Sequence, residues 1–206
     1  MIAESLVRRG AKALVIACNT ATAAAAEAIR AAIDLPIVAL EPGVKPAVAL
    51  SKRGVIGVMA TTRTLASERF QRLVGNHANH VRVLAQPCPG LAEAIEAQGP
   101  ESAEVAALLN AFVAPLAAAA VDVVVLGCTH YPWVAEAIAR RMPPGVTLLD
   151  TGEPVARQLE RLLSAGNLIG GGSGQLRVAT SGAPNQVVAT VDRLWGQHLA
   201  VEHWEP

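Results

Sequence analysis

The stretch that decides the fold is Ala13–Thr22, which reads Ala-Leu-Val-Ile-Ala-Cys-Asn-Thr-Ala-Thr. A second stretch, Val123–Pro132, repeats its plan as Val-Val-Val-Leu-Gly-Cys-Thr-His-Tyr-Pro. In each, an apolar run and a small residue precede a cysteine, which polar residues and a helical pattern follow. Apolar runs of this kind are typical of strands covered on both faces of a parallel sheet. The repeat therefore predicts two strand–helix units with Cys18 and Cys128 at strand ends, where open α/β sheets bind ligands.

The same alternation continues along the rest of the chain. The strands predicted from short, Val-rich runs are Ala13–Ala17, Pro36–Leu40, Val55–Ala60, Val81–Ala85, Val123–Leu126, Thr147–Leu149 and Leu176–Ala179. The helices predicted from apolar residues three and four positions apart are Thr22–Ile33, Thr64–Val74, Leu91–Ala97, Ala103–Ala119, Trp133–Arg141 and Pro154–Leu163. Strands and helices in alternation predict an α/β fold with parallel sheets and right-handed crossovers.

Composition excludes several classes of protein. The 206 residues include 17 Lys+Arg and 17 Asp+Glu, and the formal charge of zero is atypical of a general nucleic-acid binder, which needs a cationic face. A hydrophobic content of 52% predicts a large core. The uncharged stretch Val105–Val121 contains Pro115 and is short for a membrane span. Three cysteines are too few for a disulfide scaffold, which indicates free thiols in a reducing, cytoplasmic setting.

Two thiols in matching positions favour a chemical role over packing, although a single cysteine at a strand end is usually buried and inert. A helix N-terminus lowers the pKa of a thiol and attracts carboxylates, so we expect reactive thiolates here. Metal binding is disfavoured because only His130 of the five histidines stands beside a cysteine, and the Cys-x-x-Cys pattern of disulfide exchange is absent. Two thiols that face a small ligand from opposite sides suit stereoinversion, in which one removes a proton and the other returns it.

Both cysteine motifs resemble those of the glutamate racemases, a family of the cofactor-independent aspartate/glutamate racemase superfamily. The motifs are Ala17-Cys18-Asn19-Thr20-Ala21 and Gly127-Cys128-Thr129-His130-Tyr131-Pro132. Further segments that resemble the family are Gly57–Thr64, Cys88-Pro89 with Glu96, Leu149–Gly152 and Thr180–Gly182. The resemblance covers nearly all of the chain, and the two cysteine motifs together are highly specific.

The resemblance implies two similar flavodoxin-like parallel-sheet domains with the active site between them. The first would be discontinuous, with residues 1–40 and 153–206, and the second would span 41–152. The implied activity is that of a cytoplasmic isomerase that interconverts L- and D-glutamate without cofactor or metal. It would supply D-glutamate for peptidoglycan and so serve cell-wall biogenesis and cell shape. The implied partner is the small-molecule substrate, without nucleic acid or membrane, and the family commonly forms homodimers.

The resemblance also implies a role for each matching residue. Cys18 and Cys128 would be the two catalytic acid–base groups. The residues expected to hold substrate are Asn19, Thr20, Thr129 and His130, with Thr61 and Thr64 from the second domain, and Glu96 would support His130. From the residues alone, Thr61 and Thr64 fit helix caps equally well, and Glu96 fits a solvated helix face.

The sequence departs from the family at its start. The family begins with a strand that ends in Asp-Ser-Gly, followed by a Tyr-Gly pair, and neither is present in the 17 residues before Cys18. We therefore expect a chain that lacks the N-terminal strand–helix units of the first domain and is weakly active or inactive alone. Two alternatives remain: an aspartate or hydantoin racemase, and a non-catalytic remnant that binds small acids. His130 after Thr129 favours glutamate, because this order resembles the glutamate branch.

Overall fold

Strands and helices alternate through the computed structural model, which describes residues 2–170 and 172–205 and leaves Met1, Gly171 and Pro206 outside the description. The strands are β1 (Leu14–Ile16), β2 (Ile37–Ala39), β3 (Val55–Ala60), β4 (Arg82–Pro87), β5 (Val123–Leu126), β6 (Thr147–Leu149), β7 (Val178–Thr180) and β8 (Val201–His203). The helices are α1 (Ile2–Arg8), α2 (Asn19–Ala32), α3 (Val44–Leu50), α4 (Thr62–Ala66), α5 (Glu68–His77), α6 (Leu91–Gln98), α7 (Ala103–Ala118), α8 (Ala135–Ala139), α9 (Gly152–Ala165) and α10 (Pro184–Trp195). A 3₁₀-helix spans Tyr131–Val134. The prediction of an α/β fold with parallel strands is confirmed.

The largest sheet carries Cys128 at the end of one of its two central strands. Its order is β4-β3-β5-β6, with every pair parallel. All four residues of β5 are buried, which explains why that strand reads as an uninterrupted apolar run. One face packs against α6, α7 and the segment after β5, and the other packs against α3 and α5.

The strands outside this sheet form two separate parallel pairs. β1 pairs with β2 and carries Cys18 beyond its end, whereas β7 pairs with β8. Burial is lower here, since α9 has no fully buried residue among those described. The sequence pattern missed β8 because its Val-Glu-His stretch is short and largely exposed, so that no apolar run marks it.

Two predicted helices are each divided in the structure. The helix expected over Thr64–Val74 is α4 followed by α5, with Ser67 between them. Ser67 ends α4 and caps α5, since its Oγ accepts a hydrogen bond from the amide of Phe70 at 3.2 Å. The helix expected over Trp133–Arg141 is the 3₁₀-helix followed by the short α8.

The long apolar helix α7 is a core helix. It runs through Pro115 without a break and buries Val105, Leu109, Val113 and Leu116 against the largest sheet. Across the described residues, no helix has both the length and the apolar character that crossing a membrane would need.

Candidate active site

Cys18 lies at the junction of β1 and α2, as the sequence predicts. It is the N-cap of α2, in an extended conformation, and its Sγ accepts a hydrogen bond from the amide of Ala21 at 3.5 Å. The residue is exposed and borders a cavity of about 420 Å³. A helix of 14 residues begins at this thiol, so the partial positive charge of its N-terminus faces the sulfur.

Cys128 lies at the corresponding position after β5, and it is half-buried. Its strand end is held by Gly127, whose amide donates to the carbonyl of Met59 at 2.7 Å. A Cβ on Gly127 would lie 2.8 Å from that carbonyl oxygen, so only glycine permits this approach. The four-residue 3₁₀-helix that follows Cys128 starts at Tyr131, in contrast to the long α-helix that starts beside Cys18.

The environment of Cys128 raises the pKa of its thiol. Burial is the largest cause, and the negative charges of Cys18, Glu93 and Glu96 raise the pKa further, whereas the backbone N–H of His130 lowers it. The expectation that a helix N-terminus lowers this pKa was therefore wrong. A helix of one 3₁₀ turn carries little dipole, and burial beside acidic groups outweighs it. The charge of Cys18 acts on Cys128, so the two strand ends lie near each other.

His130 and Glu96 extend the Cys128 side of the site. The Nδ1 of His130 lies 3.6 Å from the Sγ of Cys128, and its Nε2 lies 2.5 Å from Oε1 of Glu96. Glu96 comes from α6, so α6 and the segment after β5 bring thiol, imidazole and carboxylate into one chain of contacts. A carboxylate on Nε2 favours the tautomer that leaves Nδ1 free to accept a proton from the thiol. Thr129 lies between Cys128 and His130 and is half-buried.

Asn19 connects the two cysteine units directly. Its Nδ2 donates a hydrogen bond of 2.9 Å to the carbonyl of Gly127, 108 residues along the chain. The side chain is buried, and its Oδ1 has no hydrogen-bond partner among the described residues. A buried acceptor without a partner is unfavourable, so this oxygen is suited to receive an N–H group of a ligand.

Three threonine hydroxyls meet between α2 and α4. The Oγ1 of Thr20 lies 2.9 Å from that of Thr61 and 2.9 Å from that of Thr64, and the hydroxyl of Thr61 donates to Thr64 at 3.0 Å. Thr61 also caps α4, because its Oγ1 accepts from the amide of Thr64 at 3.2 Å. Thr61 is therefore the cap of α4, whereas Thr64 lies inside that helix, and contact of either residue with a substrate stays a prediction.

Sequence reasoning missed two charged residues near the thiols. Glu93 lies on α6, and its charge raises the pKa of Cys128. Arg63 is exposed and borders the same cavity as Cys18 and Thr20, to which it adds a positive charge. Glu93 precedes Glu96 by almost one helical turn, a spacing that places both on one side of α6. Arg63 stands inside the threonine segment, and nothing in its neighbours distinguishes it from a surface arginine.

The remaining cysteine is structural. Cys88 is buried, its Sγ donates to the carbonyl of Gln86 at 3.4 Å, and burial raises the pKa of its thiol to about 12. It therefore stays protonated and inert near neutral pH. Among the residues that the structure describes, no group of three or more His, Cys, Asp and Glu side chains could hold a metal ion.

The chain is similar to known proteins over nearly its whole length. The family model for Asp/Glu/Hydantoin racemase matches residues 2–159. A glutamate racemase from Stutzerimonas stutzeri is 45% identical over 203 residues, which cover 98% of this chain and 77% of that protein. The structure of a glutamate racemase isoform from Bacillus anthracis superposes with a TM-score of 0.87 at 28% identity, covering 99% of this chain and 77% of the other. An Escherichia coli glutamate racemase, solved with L-glutamate and an activator, superposes with a TM-score of 0.83 at 25% identity, covering 98% and 77%.

Proposed function

This chain belongs to the Asp/Glu/Hydantoin racemase family, and from that premise we propose that it inverts the α-carbon of glutamate with two thiols. The observation that carries the proposal is the pair of strand-end cysteines, Cys18 and Cys128, which are close enough for the charge of one to act on the other. Glutamate is the proposed substrate because the relative that is 45% identical is a glutamate racemase. The D-glutamate formed would serve peptidoglycan synthesis.

The proposed reaction moves one proton off the α-carbon and another onto its opposite face. A thiolate takes the α-proton, so that a C–H bond breaks and an S–H bond forms. The opposite thiol then gives its proton to the carbanion and becomes a thiolate. The raised pKa of Cys128 suits the thiol that donates, and Cys18 at the start of α2 is then the base that accepts the α-proton. The roles exchange for the other enantiomer.

His130 and Glu96 serve Cys128 when it must act as the base. The thiol of Cys128 has to lose its proton first, and burial opposes that loss. The free Nδ1 of His130, 3.6 Å from the sulfur, takes the proton. The carboxylate of Glu96 on Nε2 stabilises the imidazolium that forms. This assistance offsets the unfavourable environment of a half-buried thiolate.

The remaining residues hold the substrate in this proposal. The unpartnered Oδ1 of Asn19 accepts from the ammonium group of glutamate. The hydroxyls of Thr20, Thr61 and Thr64 exchange their mutual contacts for hydrogen bonds to the carboxylates, and the hydroxyl of Thr129 adds another. Arg63 favours an acidic ligand at the opening of the cavity. We also propose that the site lies between a discontinuous domain, residues 1–40 with 153–206, and a second domain, residues 41–152.

The test measures inversion and isotope exchange together. The 206-residue chain is incubated with L-glutamate in D₂O, with circular dichroism reporting inversion and proton NMR reporting loss of the α-proton. We expect both signals even if turnover is slow, as the sequence analysis predicts for this chain, and we expect neither from the variants Cys18→Ser and Cys128→Ser. L-aspartate serves as the comparison substrate, and faster turnover of aspartate would move the proposal to another member of the superfamily. Binding of glutamate without exchange would overturn the catalytic proposal and leave a small-acid-binding protein.

A further inference from the structure

The last turn of α10 contacts the segment that carries His130. The Nε1 of Trp133 donates a hydrogen bond of 3.1 Å to the carbonyl of Leu194. The rings of Trp133 and Trp195 meet edge to face, with centroids 5.8 Å apart and planes at 62°. More than fifty residues of chain separate α10 from His130, so this contact forms through tertiary packing and does not follow from the local sequence.

Trp133 and the last turn of α10 contact both members of the His130–Glu96 pair. The ring of Trp133 also contacts the imidazole of His130, with centroids 6.1 Å apart and planes tilted by 54°. Arg193, also from the last turn of α10, donates from its guanidinium to the backbone carbonyl of Glu96. The aliphatic part of Arg193 packs at the end of α6, where a Cβ on Gly99 would lie 3.2 Å from Cδ of Arg193.

The His130–Glu96 pair needs such support because it lies near solvent. The side chain of Glu96 is 50% exposed and that of His130 is 25% exposed. Exposed polar pairs hold their geometry weakly, since two mobile side chains must be ordered to keep one contact. Aromatic packing and a hydrogen bond to a fixed carbonyl restrict that motion at low entropic cost.

We propose that Trp133 and Arg193 are positioning residues that hold the His130–Glu96 pair in line with Cys128. The proposal rests on the function proposed above and adds the control of one thiol by α10. Trp133 fixes the imidazole from the side, and Arg193 fixes the turn of α6 that carries Glu96. Both contacts act on the Cys128 half of the site, whereas Cys18 lies across the site at the start of α2.

The first test needs no turnover. In the ligand-free chain, NMR follows the proton on Nε2 of His130 that is shared with Glu96. We expect Trp133→Leu, which removes the ring and its N–H but keeps an apolar side chain, to speed the exchange of that proton with water by about tenfold. Trp133→Phe, which keeps the ring beside His130, restores most of the protection. Unchanged exchange in Trp133→Leu would overturn the proposal.

The second test follows turnover of α-deuterated L- and D-glutamate. We expect kcat to fall about tenfold in Trp133→Leu and about threefold in Arg193→Ala, with KM changed less than twofold. The substrate isotope effect should rise for the enantiomer that Cys128 deprotonates, because that step becomes more rate-limiting. It should fall for the other enantiomer, for which proton donation by Cys128 follows the labelled step. The proposal would be overturned if the isotope effects change in the same direction for both enantiomers, or if they do not change for either.

Trp204→Leu is the matched control. Trp204 is, like Trp133, a tryptophan whose indole N–H is hydrogen-bonded, since its Nε1 donates to Oγ of Ser5 at 3.0 Å, but it packs on α1 beside Arg9. We expect this variant to lower stability without changing either isotope effect or the exchange of the His130 proton. An inactive wild-type chain would count against the proposed function, whereas an active wild type with an unaffected Trp133→Leu variant would count against the positioning role alone. The exchange measurement decides the positioning role in either case.

Discussion

The two cysteine units share one sequence plan and differ in almost every physical property of the thiol. Cys18 is exposed and caps a helix of 14 residues, from which its sulfur accepts an amide hydrogen bond. Cys128 is half-buried and is followed by a four-residue 3₁₀-helix. His130 and Glu96 stand beside Cys128, and the cavity at Cys18 is lined by Thr20, Arg63, Ser67 and small residues of α2 instead.

A repeated motif therefore determines where a thiol lies, whereas the residues that surround the thiol in the folded protein determine its protonation. Inversion by two thiols requires one thiolate and one thiol at the same moment. Two identical environments would favour both protonated or both ionised. The two environments are unequal, since Cys128 is half-buried beside acidic groups and the pKa of its thiol is raised. The asymmetry is therefore useful to the reaction that we propose.

The largest effect is expected when each thiol is removed in turn, which tests whether both cysteine units are needed for inversion. We expect Cys18→Ser and Cys128→Ser each to lower the rate of inversion by about 10³-fold or more, because a hydroxyl is a far weaker acid–base group at neutral pH. Circular dichroism of L- and D-glutamate measures both directions. Cys88→Ser is the matched control, since its thiol is buried and bonded to a backbone carbonyl, and it should cost stability without removing activity. Retained inversion in either of the first two variants would contradict the two-thiol mechanism.

Removing the imidazole tests whether the Cys128 unit depends on its extra partners. We expect His130→Asn to lower kcat by about 10²-fold, because the half-buried thiol then loses the group that accepts its proton. Steady-state rates with both enantiomers measure the loss. His80→Asn, at an exposed position on the turn before β4, should leave the rate unchanged. A loss no larger than that of His80→Asn would mean that the two thiols work without assistance.

A further difference lies in how the strand that carries Cys128 is anchored. Just before β5, the carboxylate of Asp122 accepts hydrogen bonds from Oγ of Ser51 at 2.7 Å and from the amides of Lys52 and Arg53 at 2.6 and 2.7 Å. Partial burial opposes ionisation, but these hydrogen bonds outweigh it and lower the pKa of Asp122. A lowered pKa in the folded state stabilises the protein above the unfolded value, near pH 4, and the contribution is lost as pH falls through the folded value.

We therefore expect Asp122→Asn to lower the free energy of unfolding at pH 7 by about 2 kcal/mol, since charged acceptors are replaced by a neutral one. Its stability should also fall less than that of the wild type as the pH is lowered from 5 to about 3. Urea unfolding at several pH values measures both effects. Asp34→Asn, at an exposed position before β2, serves as the control and should change little. Equal acid sensitivity of wild type and Asp122→Asn would contradict a stabilising role of the ionised Asp122 carboxylate.

The smallest effect is expected from a change in the charge near Cys128, which tests what raises the pKa of that thiol. The negative charge of Glu93 raises the pKa of Cys128, so Glu93→Gln should lower it. If Cys128 must hold its proton in the active form, the alkaline limb of kcat/KM then moves to lower pH, while the acid limb stays in place. A pH profile of the wild type and the variant measures the shift, with Glu160→Gln on the exposed side of α9 as the control. A shift of the alkaline limb to higher pH would contradict the assignment of that limb to Cys128.

The sequence by itself determined the local features of this protein. Apolar runs followed by cysteines placed both thiols at the ends of parallel strands. Coverage on both faces, which such runs predict, holds for β5 but not for β1, where Val15 is exposed. The same patterns gave the α/β class and most elements to within a few residues. Elements without a strong pattern, such as the exposed β8 and the break at Ser67, were missed because short polar segments carry no periodic signal.

Only the tertiary structure decided which residues meet and what state the thiols take. Glu96 reaches His130 because α6 packs beside the segment after β5, and Asn19 reaches Gly127 across 108 residues of chain. The packing of α10 brings Trp133 and Leu194 together in the same way. The pKa of Cys128 rises because burial and nearby carboxylates act through space, and neither is encoded in the residues next to it. Periodicity is local and can be read along the chain, whereas electrostatics and packing depend on distances that exist only after folding.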